Sequence, residues 1–233
     1  MITFYRFFNL RVIEMVHKYT AMLVLLVTSN ALLSCQSNIA KKEPQSFEQL
    51  PDHQNGMVDT ATFATGCFWC VEAQFKTLDG VQQVISGYAG GEAKDPSYSQ
   101  VSTGNTGHAE VINVLYDPKK ITFDTLLEAF FIAHDPTQLN RQGNDIGTQY
   151  RSAIFVHDQE QLEKVNFYLK KMKEERLYDR PIVTEINPFT TFYKAEDYHQ
   201  NYYANNKEDR YCQYVIKPKL EKFKHIFTST VKD

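Results

Sequence analysis

Two thiols three residues apart, Cys67 and Cys70, enclose Phe68 and the chain's only tryptophan, Trp69, in the run GCFWC. A cysteine that follows a β-prone run and a glycine and opens a helix lies where unpaired N–H groups and the positive helix end favour a thiolate. Gly66 lets the backbone turn and leaves room for a reactant to approach the sulfur. Cys70 falls one helical turn later, on nearly the same face. A thiolate with a second thiol one turn away is a redox pair, in which the first attacks and the second resolves. Three other readings compete. A zinc knuckle requires a second CxxC or an HxxxH, and the sequence has neither. A buried structural pair requires no chemistry at all. A thioredoxin-like oxidoreductase, acting on protein disulfides, is the usual functional reading of CxxC. It carries small residues or Pro between the cysteines, however, and here two aromatics stand beside the attacking sulfur. They suggest an apolar pocket for a substrate group.

Other polar residues fall at the ends of β-prone runs. GNTGHAEV puts Glu110 at the start of a run, beside His108; GYAGG puts Tyr88 at the end of another; DIGTQYRSAI puts Asp145 and Tyr150 just before a third. Singly, each is more often a packed or solvated residue. Together they offer a carboxylic acid and two phenols at strand ends of one sheet, groups able to hold and protonate an oxygen.

The elements that must position them follow from periodicity. TATFAT (60–65) reads as a strand. CFWCVEAQFKTL (67–78) has apolar residues at Phe68, Val71, Phe75 and Leu78, a helix face. Runs 81–88 and 109–116 read as strands. Thr122 caps a helix through TFDTLLEAFFIAH, after which a loop from Asp135 to Gly147 leads to a strand at 151–157. Asp158 caps a long helix with Leu162, Val165, Leu169 and Met172 on one face, and 181–186 reads as a last strand. The first six elements run β-α-β-β-α-β. That order predicts an α+β fold: a two-layer sandwich with a ferredoxin-like, split βαβ core, its mostly antiparallel sheet carrying helices on one face.

The chain has 233 residues, 42% of them hydrophobic, and a formal net charge of −3. That balance predicts no nucleic-acid partner, and no cofactor motif or metal site is seen. The N-terminal 34 residues read as an export signal. Arg6, Arg11 and Lys18 precede the apolar run AMLVLLVTSNALL (21–33), which is too short to span a bilayer comfortably. Met15 is an alternative start. Leu32-Leu33-Ser34-Cys35 resembles a lipobox, with Cys35 the lipidated first residue; an uncleaved anchor or a signal cut elsewhere are the alternatives. Residues 35–57 are polar and aperiodic, a flexible tether, and the catalytic domain is expected over 58–233. The expected location is the bacterial cell envelope, with the protein tethered to a membrane through lipid. Gln36 after the cysteine leans this toward the outer membrane of a diderm.

GCFWC, GYAGG, TGHAEV, DIGTQYRS and AEDYHQNYY occur together and in this order. The set resembles the peptide methionine sulfoxide reductase A family, over about residues 60 to 225. The resemblance implies an α+β fold and a peptide-methionine (S)-S-oxide reductase, reducing the S epimer in proteins and as the free amino acid. It also implies roles: Cys67 as nucleophile, Phe68 and Trp69 as the pocket for the sulfoxide methyl, Glu110 as the acid. Tyr88 and Tyr150 would bind the sulfoxide oxygen, and Asp145 would belong to the same polar pocket. Cys67 would become a sulfenic acid and then a disulfide, recycled by thioredoxin or a similar dithiol. Many relatives end in a Gly-rich tail with further cysteines; here Cys212 stands alone, so the resolving thiol is Cys70 or Cys212. A monomer is expected.

Overall fold

Side chains that alternate along the strands build a sheet with two unequal faces. The computed structural model describes residues 58–232; the export signal, Cys35 and the tether predicted from the sequence lie outside them. Strand β1 (Asp59–Thr65) is central, between β3 (Ala109–Tyr116) and β6 (Ser152–Val156). β2 (Val81–Ala89) pairs with the far edge of β3, and the short β7 (Glu185–Pro188) and β8 (Phe192–Lys194) complete the order β7-β6-β1-β3-β2-β8. All pairings are antiparallel except β6 with β7. Ala61, Phe63, Ile112, Val114, Ile154 and Val156 face the main core. Their neighbours Ala64, Ala109, Val111, Ala153 and Phe155 face a smaller cluster covered by Phe189 and Phe192.

Helix α1 (Phe68–Phe75) runs through the main core, and every residue except Trp69 is buried. α3 (Phe123–Ala133), which follows the four-residue α2 (Tyr98–Val101), is capped as expected: Thr122 Oγ1 accepts the Thr125 N–H at 3.2 Å. α4 (Gln159–Glu174) is capped by Asp158, whose Oδ1 accepts the Gln161 N–H at 2.7 Å. Together with a capping side chain, each start satisfies one backbone donor the helix itself cannot.

The departures from expectation lie in the polar stretches. Residues 181–184 are not a strand; the sheet is joined only at Glu185. Pro181 has no N–H to give a ladder, and the Val183 N–H is committed to the Pro136 carbonyl in the loop opposite. The 135–147 loop holds a small hairpin, β4 (Arg141–Gln142) with β5 (Asp145–Ile146). The Tyr-rich segment folds into β8, a 3-10 turn at Asp197–His199 and the short α5 (Tyr202–Asn205). After it, a π-helical turn at Cys212–Ile216 leads into α6 (Lys217–Ile226).

Candidate active site

β1 delivers the chain to Gly66, whose φ of 94° is strained for any side chain; a Cβ there would lie 2.6 Å from that of Gln142. The turn places Cys67 as N-cap of α1, one residue before the helix proper, and the Cys70 N–H donates to the Cys67 carbonyl at 3.2 Å. Both thiols are free and buried. β3 brings Glu110 to the same helix start, where its Oε2 accepts the Phe68 N–H at 3.0 Å. Burial, and then the adjacent Cys67, hold the Glu110 carboxyl well above the usual carboxylate range, and the Phe68 N–H only partly offsets them.

The thiol pair departs from expectation. The hydrogen bond between the sulfurs is the largest influence on both. It holds Cys67 well above the ordinary thiol range, with burial adding to it, and it lowers Cys70, which Lys219 also favours as a thiolate. The Trp69 N–H, at the helix start, pulls Cys67 down but does not dominate. A thiolate on Cys70 is therefore favoured over one on Cys67, and ionising both would set two negative charges side by side.

Tyr211 closes one side. Its hydroxyl donates to Asp145 Oδ2 at 2.9 Å and lies 4.0 Å from Cys70 Sγ. It also hydrogen-bonds Cys67. Tyr150, at the end of a 3-10 turn, has its hydroxyl bonded to that of Tyr98, and the ionisation of both phenols is opposed by burial and then by Glu110. Tyr88 is a correction. It lies directly across the ladder from Glu110 but is fully buried, and its hydroxyl donates to Glu196 Oε2 at 2.8 Å. The other Glu196 oxygen accepts the Tyr98 N–H at 2.8 Å. Tyr88 thus braces the segment that presents Tyr98, and Tyr98 takes its place beside Tyr150.

Phe68 is buried against Tyr88 and His199, with ring centroids 6.0 and 5.0 Å away. Trp69 stacks on Tyr202 at 3.7 Å and meets Tyr211 edge-on at 5.9 Å. Its Nε1–H donates to His199 Nδ1 at 3.0 Å. Cys212 is fully buried, next in sequence to Tyr211, and interacts electrostatically with Cys67 without being joined to it. His108 stands apart: its Nδ1 accepts the Gly91 N–H at 3.1 Å, and its Nε2 bonds the Ala93 carbonyl at 2.7 Å, tying the 91–108 loop together. Among the described residues no group of three or more His, Cys, Asp or Glu could hold a metal ion.

The structure thus brings together Cys67, Cys70, Phe68, Trp69, Glu110, Asp145 and Tyr150. It adds Tyr98, Tyr211, His199, Tyr202 and Glu196, which sequence reasoning had not singled out. The signals were there in part: Tyr98 follows the GYAGG exit, His199 and Tyr202 lie in AEDYHQNYY, and Tyr211 precedes Cys212.

A buried thiol pair at a helix start, facing a proton-retaining carboxyl and an aromatic wall, defines a thiol-dependent reductase on an α+β fold. Residues 59–231 match the family model described as peptide methionine sulfoxide reductase. A relative from Natronomonas pharaonis, named peptide methionine sulfoxide reductase MsrA, is 52% identical over 75% of this chain and 98% of its own. One of the same name from Nautilia profundicola is 54% identical over 70% and 92%. Among solved structures, reduced Mxr1 from Saccharomyces cerevisiae is similar with a TM-score of 0.63 and 38% identity, covering 70% of this chain and 93% of its own. Methionine sulfoxide reductase A of Corynebacterium diphtheriae gives 0.59 and 39%, over 69% and 80%. The chain belongs to the peptide methionine sulfoxide reductase family.

Proposed function

We propose that this enzyme reduces the S epimer of methionine sulfoxide, in proteins and as the free amino acid, through Cys67. The observation that carries the reading is the buried Glu110 carboxyl, bonded to the Phe68 N–H beside the Cys67 sulfur. A sulfoxide oxygen leaves sulfur poorly until it is protonated. A carboxyl that burial holds well above its usual range supplies that proton where the Cys67 sulfur attacks. The sulfoxide methyl lies against Phe68 and Trp69, and the oxygen is held by Glu110 with the Tyr98 and Tyr150 hydroxyls. Asp145 orients Tyr211 toward the thiols. Cys67 sulfur attacks the sulfoxide sulfur, oxygen passes to Cys67 as a sulfenic acid, and methionine leaves.

Cys70 resolves first. Its thiol condenses with the sulfenic acid, forming the Cys67–Cys70 disulfide and water. The hydrogen bond between the two sulfurs supports this order. Cys212 acts later or in its stead, because Tyr211 fills the site beside it. An external dithiol, thioredoxin or a similar protein, reduces the disulfide. The sheet order β6-β1-β3-β2 with its β-α-β-β-α-β sequence supports the finer fold assignment, a ferredoxin-like core. The apolar run before Cys35 supports export with lipid anchoring at the cell envelope, as a monomer with residues 58–233 as its catalytic domain.

The test is incubation of the full chain with each epimer of a methionine sulfoxide peptide and dithiothreitol. Loss of the S epimer alone is expected. Exchange with a disulfide reporter and no loss of either epimer would overturn the reading in favour of a protein-disulfide oxidoreductase.

A further inference from the structure

Resolution by Cys70 needs that sulfur as a thiolate, and the side of α1 that carries it packs against α6. The Gln74 Nε2–H donates to the Lys219 carbonyl at 3.4 Å, and Phe75 meets Phe223 at 6.2 Å between ring centroids. Gln74 lies one turn beyond Cys70 on the same face of α1, so the first turn of α6 runs beside the resolving thiol. Lys219 stands in that turn, half-buried. Among the described residues its ammonium has no carboxylate ion-pair partner. Its charge falls instead on Cys70, and it also opposes protonation of His134 at the end of α3.

Cys67, on the same helix, shares the hydrogen bond between the sulfurs. Tyr211, from the turn that precedes α6, lies 4.0 Å from Cys70 Sγ, but its one hydroxyl hydrogen goes to Asp145 Oδ2 at 2.9 Å. Asp145, from β5, opposes a second negative charge nearby. Lys219 is the cation among these groups, and a cation beside a thiol favours the thiolate. In the resting pair the hydrogen bond from Cys67 favours it too. Once Cys67 carries a hydroxyl in place of its hydrogen, that sulfur–sulfur bond is gone, and Lys219 is left to hold the negative charge.

We propose that Lys219 is a positioning residue for recycling, whose ammonium stabilises the Cys70 thiolate as that sulfur attacks oxidised Cys67. This rests on the reading of Cys70 as the resolving thiol. The Cys70 thiolate attacks the sulfenic sulfur of Cys67, the S–S bond forms, the S–O bond breaks, and hydroxide leaves to be protonated by solvent. Cys70 is oxidised and the sulfenic acid reduced, to the shared disulfide. The earlier attack of Cys67 on the sulfoxide does not use Cys70 as a nucleophile and does not need this charge.

The experiment compares the wild-type full chain with Lys219→Met, which keeps an apolar stem and removes the charge, and Lys219→Arg, which keeps the charge. Far-UV circular dichroism checks the fold. One equivalent of the S epimer is added without reductant, samples are quenched in acid, and mass spectrometry follows methionine release, the Cys67 sulfenic acid and the Cys67–Cys70 disulfide. Losing the charge is expected to cut the Cys70 thiolate about tenfold at pH 6, while the more basic sulfur attacks about threefold faster. Disulfide formation in Lys219→Met therefore slows about threefold at pH 6 and is no slower at pH 9.5, and methionine release is not slowed at either pH. Lys219→Arg behaves as wild type. In the resting protein, the ultraviolet absorbance of thiolate rises at a higher pH in Lys219→Met than in wild type. The proposal is overturned if a folded Lys219→Met resolves and titrates as wild type does, or if Lys219→Arg is as impaired as Lys219→Met. It is also overturned if methionine release and disulfide formation slow together at both pH values. Should wild type form no Cys67–Cys70 disulfide, the reading of Cys70 as resolver fails and takes the proposal with it; a wild-type disulfide that Lys219→Met forms equally fast sinks the proposal alone.

Discussion

The proton on Glu110 sets both the chemistry and its cost. Burial raises this carboxyl in the folded state. Its contribution to stability is therefore intact below the unfolded value of about 4.3 and is lost as pH rises through the raised folded value. Glu110→Gln keeps an acceptor for the Phe68 N–H but cannot ionise. It should unfold at a higher temperature than wild type at pH 8 and at the same temperature near pH 4, which differential scanning calorimetry at the two pH values measures. The same substitution removes the proton donor and should slow single-turnover reduction by roughly 10²–10⁴-fold. A gain in stability bought with a loss of activity is the signature of a strained catalytic group. Equal single-turnover rates in the two proteins would remove Glu110 from the mechanism. Tyr88 shows what residue types alone leave open. A phenol opposite Glu110 looked like an oxygen ligand; only the position of Glu196, more than a hundred residues on, reveals that its hydroxyl is already committed.

At the scale of elements, the joint between α3 and β6 is pH-sensitive. His134 ends α3 and is neutral: its Nδ1–H donates to the Phe130 carbonyl at 2.8 Å, and its Nε2 accepts from Ser152 Oγ at 2.7 Å. Burial lowers its pKa to about 4. A depressed histidine stabilises the fold fully above its unfolded pKa of about 6.5, and the benefit, on the order of 3 kcal/mol, is lost as pH falls through the folded value. Thermal midpoints should fall on acidification between those limits, and His134→Asn should flatten the slope while lowering the midpoint at pH 7. The turn that carries Tyr211 and Cys212 governs recycling. After one equivalent of methionine sulfoxide, mass spectrometry should find Cys67–Cys70 in wild type and Cys67–Cys212 or a sulfenic acid in Cys70→Ser. Normal thioredoxin turnover by Cys70→Ser, but not by Cys212→Ser, would make Cys212 the resolver. Strands and capped helices were legible because alternation and caps act locally: β3 ran over 109–116 and Thr122 and Asp158 capped their helices as expected. The 3-10 turn at Asp197–His199, α5 and the β4–β5 hairpin were not, because long-range hydrogen bonds such as Tyr98 N–H to Glu196 hold polar segments that have no periodicity.

For the whole molecule, the site is assembled from segments that lie far apart in the chain: the end of β1, the start of β3, the 145–150 stretch, and the 196–211 stretch. The sequence could name Cys67, Glu110, Asp145 and Tyr150, whose types announce chemistry at strand ends. It could not reveal Trp69's hold on His199, since AEDYHQNYY marks the histidine but not its partner 130 residues away. If residues 1–34 are removed and Cys35 lipidated, the full chain should partition into detergent on phase separation, and Cys35→Ala should leave the detergent phase with its reductase activity unchanged. A soluble wild type with residues 1–34 intact would contradict this. The central claim, attack by Cys67 on the sulfoxide sulfur, is tested most directly in the Cys70→Ser/Cys212→Ser double variant, where no thiol in the described domain remains to resolve. Mixed with one equivalent of the S epimer and no reductant, it should release one equivalent of methionine and leave a sulfenic acid on Cys67 that dimedone traps. Release of no methionine, or a dimedone adduct elsewhere than Cys67, would contradict the account.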